Sequence, residues 1–184
     1  PYEGYIGDNT TEYHNEYTAP NWLAFHLTND NKFEFLGKEG YFERTAIHHW
    51  DFDSEEEKEL QEMQEGYEKN KVNFEKYGLL VSLQYPEYNG KPNFTKFLDH
   101  LGGDILSGNW QGAIDYDQYP KAFDMKLEYE NQSSPDWIKI SYQGNPFYFI
   151  ADTASYDWCK GHIDGIIMLY EPVSRIVLFT FDYS

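Results

Sequence analysis

The sequence predicts an α+β domain: a mainly antiparallel sheet with one long amphipathic helix and one short helix. Three observations predict it. Residues 122–130, AFDMKLEYE, alternate apolar and charged side chains with the period of a half-buried strand. Residues 55–77 carry apolar side chains at three- and four-residue spacing. The last two apolar runs, DGIIMLYE and RIVLFTFDY, are joined by the turn sequence EPVS. They are almost wholly apolar, which suits a hairpin at the centre of a sheet.

At 184 residues the chain fits one domain, residues 1–184, with room for a core that needs no disulfide or metal staple. Forty per cent of its residues are hydrophobic and 19% are aromatic, which argues against disorder despite the high charge. Cys159 is the single cysteine, so no internal disulfide framework exists. That favours a reducing compartment and a cytoplasmic location. No apolar run is long enough for a transmembrane helix. The chain opens on Pro1 rather than methionine, so removal of an N-terminal signal is left open. The net charge of −18 repels nucleic acid and anionic membranes and attracts a basic protein or cationic ligand.

The elements follow in order. The first twenty residues lack a period and read as an irregular lead-in. Residues 21–27 and 32–37 flank the turn-rich TNDN and predict a hairpin, with 41–49 as a third strand. The long helix then begins. Ser54 and Glu57 have capping-box spacing, and Glu55, Glu56 and Glu57 favour the positive end of the helix dipole. Leu60, Met63, Tyr67, Phe74 and Tyr77 form the apolar stripe, with Asn70 in its gap, and Gly78 ends it. Residues 79–85 predict a strand. Residues 92–103 predict the short helix, with Phe94, Phe97, Leu98 and Leu101 on one side. Residues 136–143 and 146–152 predict two more strands around a Gly144-Asn145 turn.

The stretch HHWDFDSEEEKEL, residues 48–60, is the densest in chemistry. Asp51, Asp53 and Glu55 imitate the start of a calcium loop, and Glu62 matches its twelfth position. The sixth position is Glu56 rather than glycine, and a predicted helix runs through the second half of the loop. His48 and His49 are neighbours on a predicted strand and point to opposite faces. Cys159 and His162 have a ligand-like spacing without a second pair, so the pattern predicts no metal and no cofactor. The same two residues could pair as nucleophile and base, yet a lone cysteine beside Trp158 reads equally as a packed small hydrophobe. Thirty-two acidic residues make every carboxylate pairing available and single out none.

Aromatic residues offer another function. Trp22, Trp50, Trp110, Trp137 and Trp158 could build a sugar-stacking platform, although Trp22 and Trp137 lie on strand-like segments and read as core. Tyr116 and Tyr119, in IDYDQYPK, predict an exposed loop that combines rigid aromatic area with carboxylates, a composition suited to protein contact.

Residues 147–184, FYFIADTASYDWCKGHIDGIIMLYEPVSRIVLFTFDYS, resemble the ending of the bacterial YwqG-like family, and residues 92–110, PNFTKFLDHLGGDILSGNW, are similar to its Gly-Gly segment. The resemblance covers about a third of the chain and leaves out the acidic helix. It implies an α+β fold, no cofactor and no catalytic position, and relatives that act as toxin-immunity proteins. The resulting expectation is a non-enzymatic immunity protein that binds a basic toxin such as a nuclease. Its contact residues would be Asp51, Asp53, Glu55, Glu56, Glu59, Asp115, Tyr116, Asp117 and Tyr119. A carbohydrate-binding or sugar-processing domain is the alternative.

Overall fold

A computed structural model describes residues 6–42, 54–105, 107–128, 137–159 and 163–183. Its strands are β1 (Thr18–Ala19), β2 (Trp22–Leu27), β3 (Phe33–Phe35), β4 (Leu80–Val81), β5 (Glu87–Tyr88), β6 (Lys91–Pro92) and β7 (Phe94–Thr95). They continue with β8 (His100–Leu101), β9 (Asp124–Glu128), β10 (Trp137–Tyr142), β11 (Asn145–Pro146), β12 (Tyr148–Thr153), β13 (Gly165–Glu171) and β14 (Ile176–Asp182). The α-helices are α1 (Ser54–Tyr77), α2 (Gly112–Asp115) and α3 (Ser155–Cys159).

The main sheet has seven antiparallel strands in the order β1-β2-β14-β13-β12-β8, with β3 also paired to β2. The apolar closing hairpin, β13–β14, sits at its centre as expected. A three-stranded sheet, β11-β10-β9, faces it. In β9 the predicted alternation holds: Met125 is buried and Leu127 half-buried, while Asp124, Lys126 and Glu128 are exposed. The larger core lies between the two sheets, where Trp22, Ala24, Leu178, Leu169 and Ile167 meet Met125, Ile140, Phe123 and Phe147.

The other face of the main sheet carries Leu23 and Phe181 in a smaller cluster with Tyr41. Tyr41 is fully buried, and its hydroxyl donates to the carbonyls of Ile6 (3.0 Å) and Ala19 (3.1 Å). The phenol thus ties the lead-in to the sheet without leaving a buried polar atom unmet.

Five expectations need correction. The lead-in is not wholly irregular, because Asp8–Tyr13 forms 3₁₀ turns and β1 follows. Tyr41 ends a 3₁₀ turn, Glu39–Tyr41, rather than opening a strand, Phe42 follows as an exposed bend, and residues 43–49 of that predicted strand lie outside the described residues. The strand at 79–85 is only Leu80–Val81.

Residues 92–103 are not a helix. Their backbone bonds outward instead: the Asp99 N–H reaches the Asp152 carbonyl and the Gly102 N–H the Ile150 carbonyl, which attaches β8 to β12. Their apolar side chains do not share a buried face either, since Leu101 is 77% exposed. Pairing with a strand fifty residues away overrides a four-residue helical pattern. The short helices are instead α2 and α3. The turn between β10 and β11 also falls one residue earlier than expected, at Gln143 and Gly144, both with positive φ (50° and 82°).

The long helix agrees with its predicted span. Gly78 stops it with φ +68°, and its N–H donates to the Phe74 carbonyl at 2.8 Å. Among the described α1 residues only Gly66 and Asn70 are buried. A Cβ on Gly66 would lie 3.4 Å from the Cys159 backbone, so glycine lets α1 approach α3 closely. The Asn70 side chain donates to the Asp157 carbonyl (2.7 Å) and accepts from the Val81 N–H (3.0 Å). The residue that interrupts the apolar stripe is therefore what pins α1 to α3 and β4.

Candidate functional site

The loop after α2 is built from the core outward. The 3₁₀ turn Asn109–Gln111 runs into α2, and Trp110 and Ile114 point inward. Trp110 is 1% exposed and meets Trp22 edge-on at a centroid distance of 5.8 Å. With these two anchors in the core, helical spacing turns Asp115 and Tyr116 to solvent, and Tyr116 is 78% exposed. Three backbone bonds then close the turn: Tyr116 N–H to Gly112 (3.1 Å), Asp117 N–H to Ile114 (3.1 Å) and Gln118 N–H to Ala113 (2.7 Å).

Asp117 and Tyr119 serve this turn rather than standing free. Lys121 Nζ donates to both the carbonyl and Oδ1 of Asp117 at 2.7 Å and lies 4.2 Å from the Tyr119 ring centre. The ammonium holds the exposed Asp117 carboxyl below its ordinary range. Tyr119, expected to be exposed, is half-buried and packs against the larger core.

Beside this turn is a hollow of about 260 Å³ lined by Pro20, Asn21, Asn109, Trp110, Gly112, Ala113, Tyr116 and Gln118. No lining residue carries a charge. Tyr116 stands at its mouth next to Asp115. It is not legible in the sequence, because its walls come from residues 20–21 and 109–118.

The other predicted contact residues stand on a different support. Glu55 is exposed and Glu59 half-buried on α1. The Glu56 side chain, and Asp51 and Asp53 entirely, lie outside the described residues. α1 packs on α3 and β4, whereas α2 packs on the 3₁₀ turn and β9. The Glu-rich stretch of α1 has local partners of its own, with Gln61 donating to Glu65 (2.8 Å) and Gln64 to Glu68 (3.0 Å). Residues 55–62 are helical, so they cannot wrap a cation as a calcium loop does.

Two features escaped sequence reading. One is an aromatic band on the α1 side: Tyr67 and Phe74 meet Trp158 at 6.3 and 5.8 Å, Phe74 meets Phe97 at 4.8 Å, and Tyr77 meets Phe94 at 5.2 Å. These rings belong to neither core cluster, and Tyr67, Tyr77, Phe94 and Phe97 are each more than a third exposed. The other is a pair at the sheet edge, where the buried Asp152 accepts from the His100 N–H (2.8 Å) and lies 2.9 Å from its Nδ1. The Cys159 thiol donates to the Ser155 carbonyl at 3.3 Å, a bond within α3, and His162 lies outside the described residues. Among the described residues no group of three His, Cys, Asp or Glu side chains is placed to hold a metal, and no helix is long and apolar enough to cross a membrane.

No family model, curated protein or solved structure matches the chain.

Proposed function

We propose that this chain is a toxin-immunity protein, acting in the cytoplasm by binding and not by catalysis, whose acidic, tyrosine-bearing surface seats on a basic protein toxin. One observation carries the reading: Tyr116, 78% exposed, stands beside Asp115 on a turn held by two core anchors, at the lip of a hollow. A rigid, solvent-facing aromatic costs little entropy to bury and is the usual type of interface hot spot. The net charge of −18 complements a basic partner and would act mainly on the association rate. Glu55 and Glu59 on α1 belong to that steering field, and Tyr116 to the contact.

The test is co-purification with the product of a neighbouring toxin-bearing gene at low and high salt. Binding should weaken with salt chiefly through a slower association rate. Tyr116→Ala should cost about tenfold or more in affinity, mostly in dissociation. No complex at either salt concentration ends this reading.

The aromatic band motivates a carbohydrate-binding alternative. Trp110 is taken up by the core and is lost to such a platform, so Trp158 would carry it. Glycan-array binding that disappears in Trp158→Ala would favour it, and a flat array removes it.

A further inference from the structure

Residues 80–95 form a hairpin in two stages. At its base β4 pairs with β7, and Leu80 and Val81 are buried. The Val81 N–H reaches Asn70 Oδ1 at 3.0 Å, which ties the base to α1. Further out β5 pairs with β6, with Tyr88 opposite Lys91 and Glu87 opposite Pro92. Asn93 joins the two stages. Its N–H donates to the Pro86 carbonyl (2.9 Å), its Nδ2 donates to the Tyr85 carbonyl (3.0 Å), and its own carbonyl accepts from the Ser82 N–H (2.9 Å). At the tip Asn89 and Gly90 both have positive φ (51° and 72°), the pattern of a two-residue turn whose twist matches its strands. Every residue from 84 to 92 is exposed. A hairpin lying on the body would bury alternate side chains, so this one stands clear on both faces. It presents Tyr85, 64% exposed, and Tyr88, 72% exposed.

We infer that this hairpin is a preformed plug that inserts Tyr85 and Tyr88 into a cleft of the protein partner, one with an uncharged floor and a basic rim. Order, composition and charge each argue for this occupant. The tip is fixed by its own hydrogen bonds while it stays exposed, so little conformational entropy is left to lose on binding. Tyrosine set among Ser82, Asn89 and Gly90 combines rigid aromatic area with adaptable hydrogen bonding, a composition suited to protein surfaces. Glu87 and Lys91 are the only charged residues between 82 and 93, so the tip is neutral on a chain of net charge −18. The acidic body attracts a basic rim, and the neutral tip enters the cleft without burying a net charge. Pro86 and Pro92 fix the mode of contact. Each removes an N–H from its side of the hairpin, which blunts both edges, so side chains make the contact rather than an added strand.

The inference goes beyond the Tyr116 contact and rests on the partner-binding reading for the source of the partner, but its first half is tested without one. ¹⁵N relaxation of the free chain should give order parameters near about 0.85 for the Glu87–Lys91 amides, as in a rigid backbone. Gly90→Val should lower them, because a β-branched residue resists the positive φ, and a Cβ there meets no atom within 4 Å, so the body is left undisturbed. The second half uses the product of the neighbouring toxin-bearing gene as the probe. Tyr88→Ala, at an exposed position, should weaken that complex about tenfold or more, mostly in dissociation, with an unchanged denaturant midpoint. The factor lost should be the same at low and high salt, because the contact is uncharged. Exchange of the Tyr88, Asn89 and Gly90 amides should slow at least about tenfold in the complex.

Order parameters below about 0.6 at the tip overturn the preformed plug. A complex that the double variant Tyr85→Ala, Tyr88→Ala holds as tightly as the parent, or that leaves the exchange of the tip amides unchanged, removes the hairpin and leaves the partner reading standing. A complex that is lost in Tyr88→Ala and intact in Tyr116→Ala supports the hairpin and removes the contact at Tyr116. No complex at either salt concentration removes both. Glycan-array binding that disappears in the double variant overturns the assignment to a protein cleft.

Discussion

The two-sheet body and the α1 unit use the same residue types in opposite ways. In the body, aromatic rings meet edge-on inside closed cores, as Trp22 does with Trp110 and Phe123 with Phe147. In the α1 unit, the rings of Tyr67, Trp158, Phe74 and Phe97 form an open band, and the helix is secured by a close approach at Gly66 and the Asn70 side chain. Apolar area holds the body together, whereas a few specific contacts hold α1 in place. A helix with little buried area depends on its tertiary contacts, because isolated helices are marginal in water. The comparison teaches that high aromatic content is not a measure of core size.

The largest effect should come from the body. Trp110→Ala removes a fully buried indole from between the sheets and should cost about 3–5 kcal/mol, read as a lower denaturant midpoint for the whole chain. A loss under 1 kcal/mol would mean that this face is not the core.

Next is Asn70→Ala, which orphans the Val81 N–H and the Asp157 carbonyl and should cost about 1–3 kcal/mol. Hydrogen exchange should show α1, α3 and β4 losing protection while β13 and β14 keep theirs. Loss of protection in all of them together would erase the distinction between the two regions.

The smallest effect is a difference in the sign of pH dependence. Burial lowers the pKa of His14 below 6.5, against the opposing bond its ring makes with the Gly7 carbonyl (Nε2 to O, 2.9 Å) and the nearby Asp8 and Glu12. The unfolded state therefore binds more protons there, and the His14 contribution, complete above about pH 6.5, is lost as pH falls through the folded value. Asp157 runs the other way. Burial first, and then the Asp99 charge, raise its pKa above 3.8, while a bond from Thr95 opposes the shift. The folded state binds more protons there, so protonated Asp157 favours docking of α3, and that benefit fades as pH rises from 3.8 through the folded value. As pH falls below about 6.5, exchange near His14 should quicken, and as it falls on toward 3.8, α3 should become better protected. In His14→Gln the first trend should vanish, and in Asp157→Asn the second. If both trends survive these changes, other groups are responsible.

The helix, the β9 strand and the closing hairpin were legible in the sequence because each is written in side-chain spacing within one short segment. The segment 92–103 was misread because its apolar spacing is helical while its backbone partners lie on β12, in another part of the chain. At the candidate site, IDYDQYPK announced an exposed tyrosine-acid loop, and Tyr116 met that expectation. The roles of Asp117 and Tyr119 were hidden, because the Lys121 contact that engages both depends on how the turn closes.

By itself, then, the sequence determined the α+β class, the α1 span and its Gly78 stop, the central hairpin and the strongly negative field. These follow from local periodicity, backbone preference and summed charge, which need no knowledge of distant neighbours. Tertiary structure alone decided that Asn70 is a buried fastener, that Trp110 belongs to the core, and that Asn21 and Tyr116 share a hollow. The physical reason is that burial and hydrogen-bond satisfaction are set by which segments meet across the fold, and residue 21 meets residues 109–118 only after the chain between them has closed.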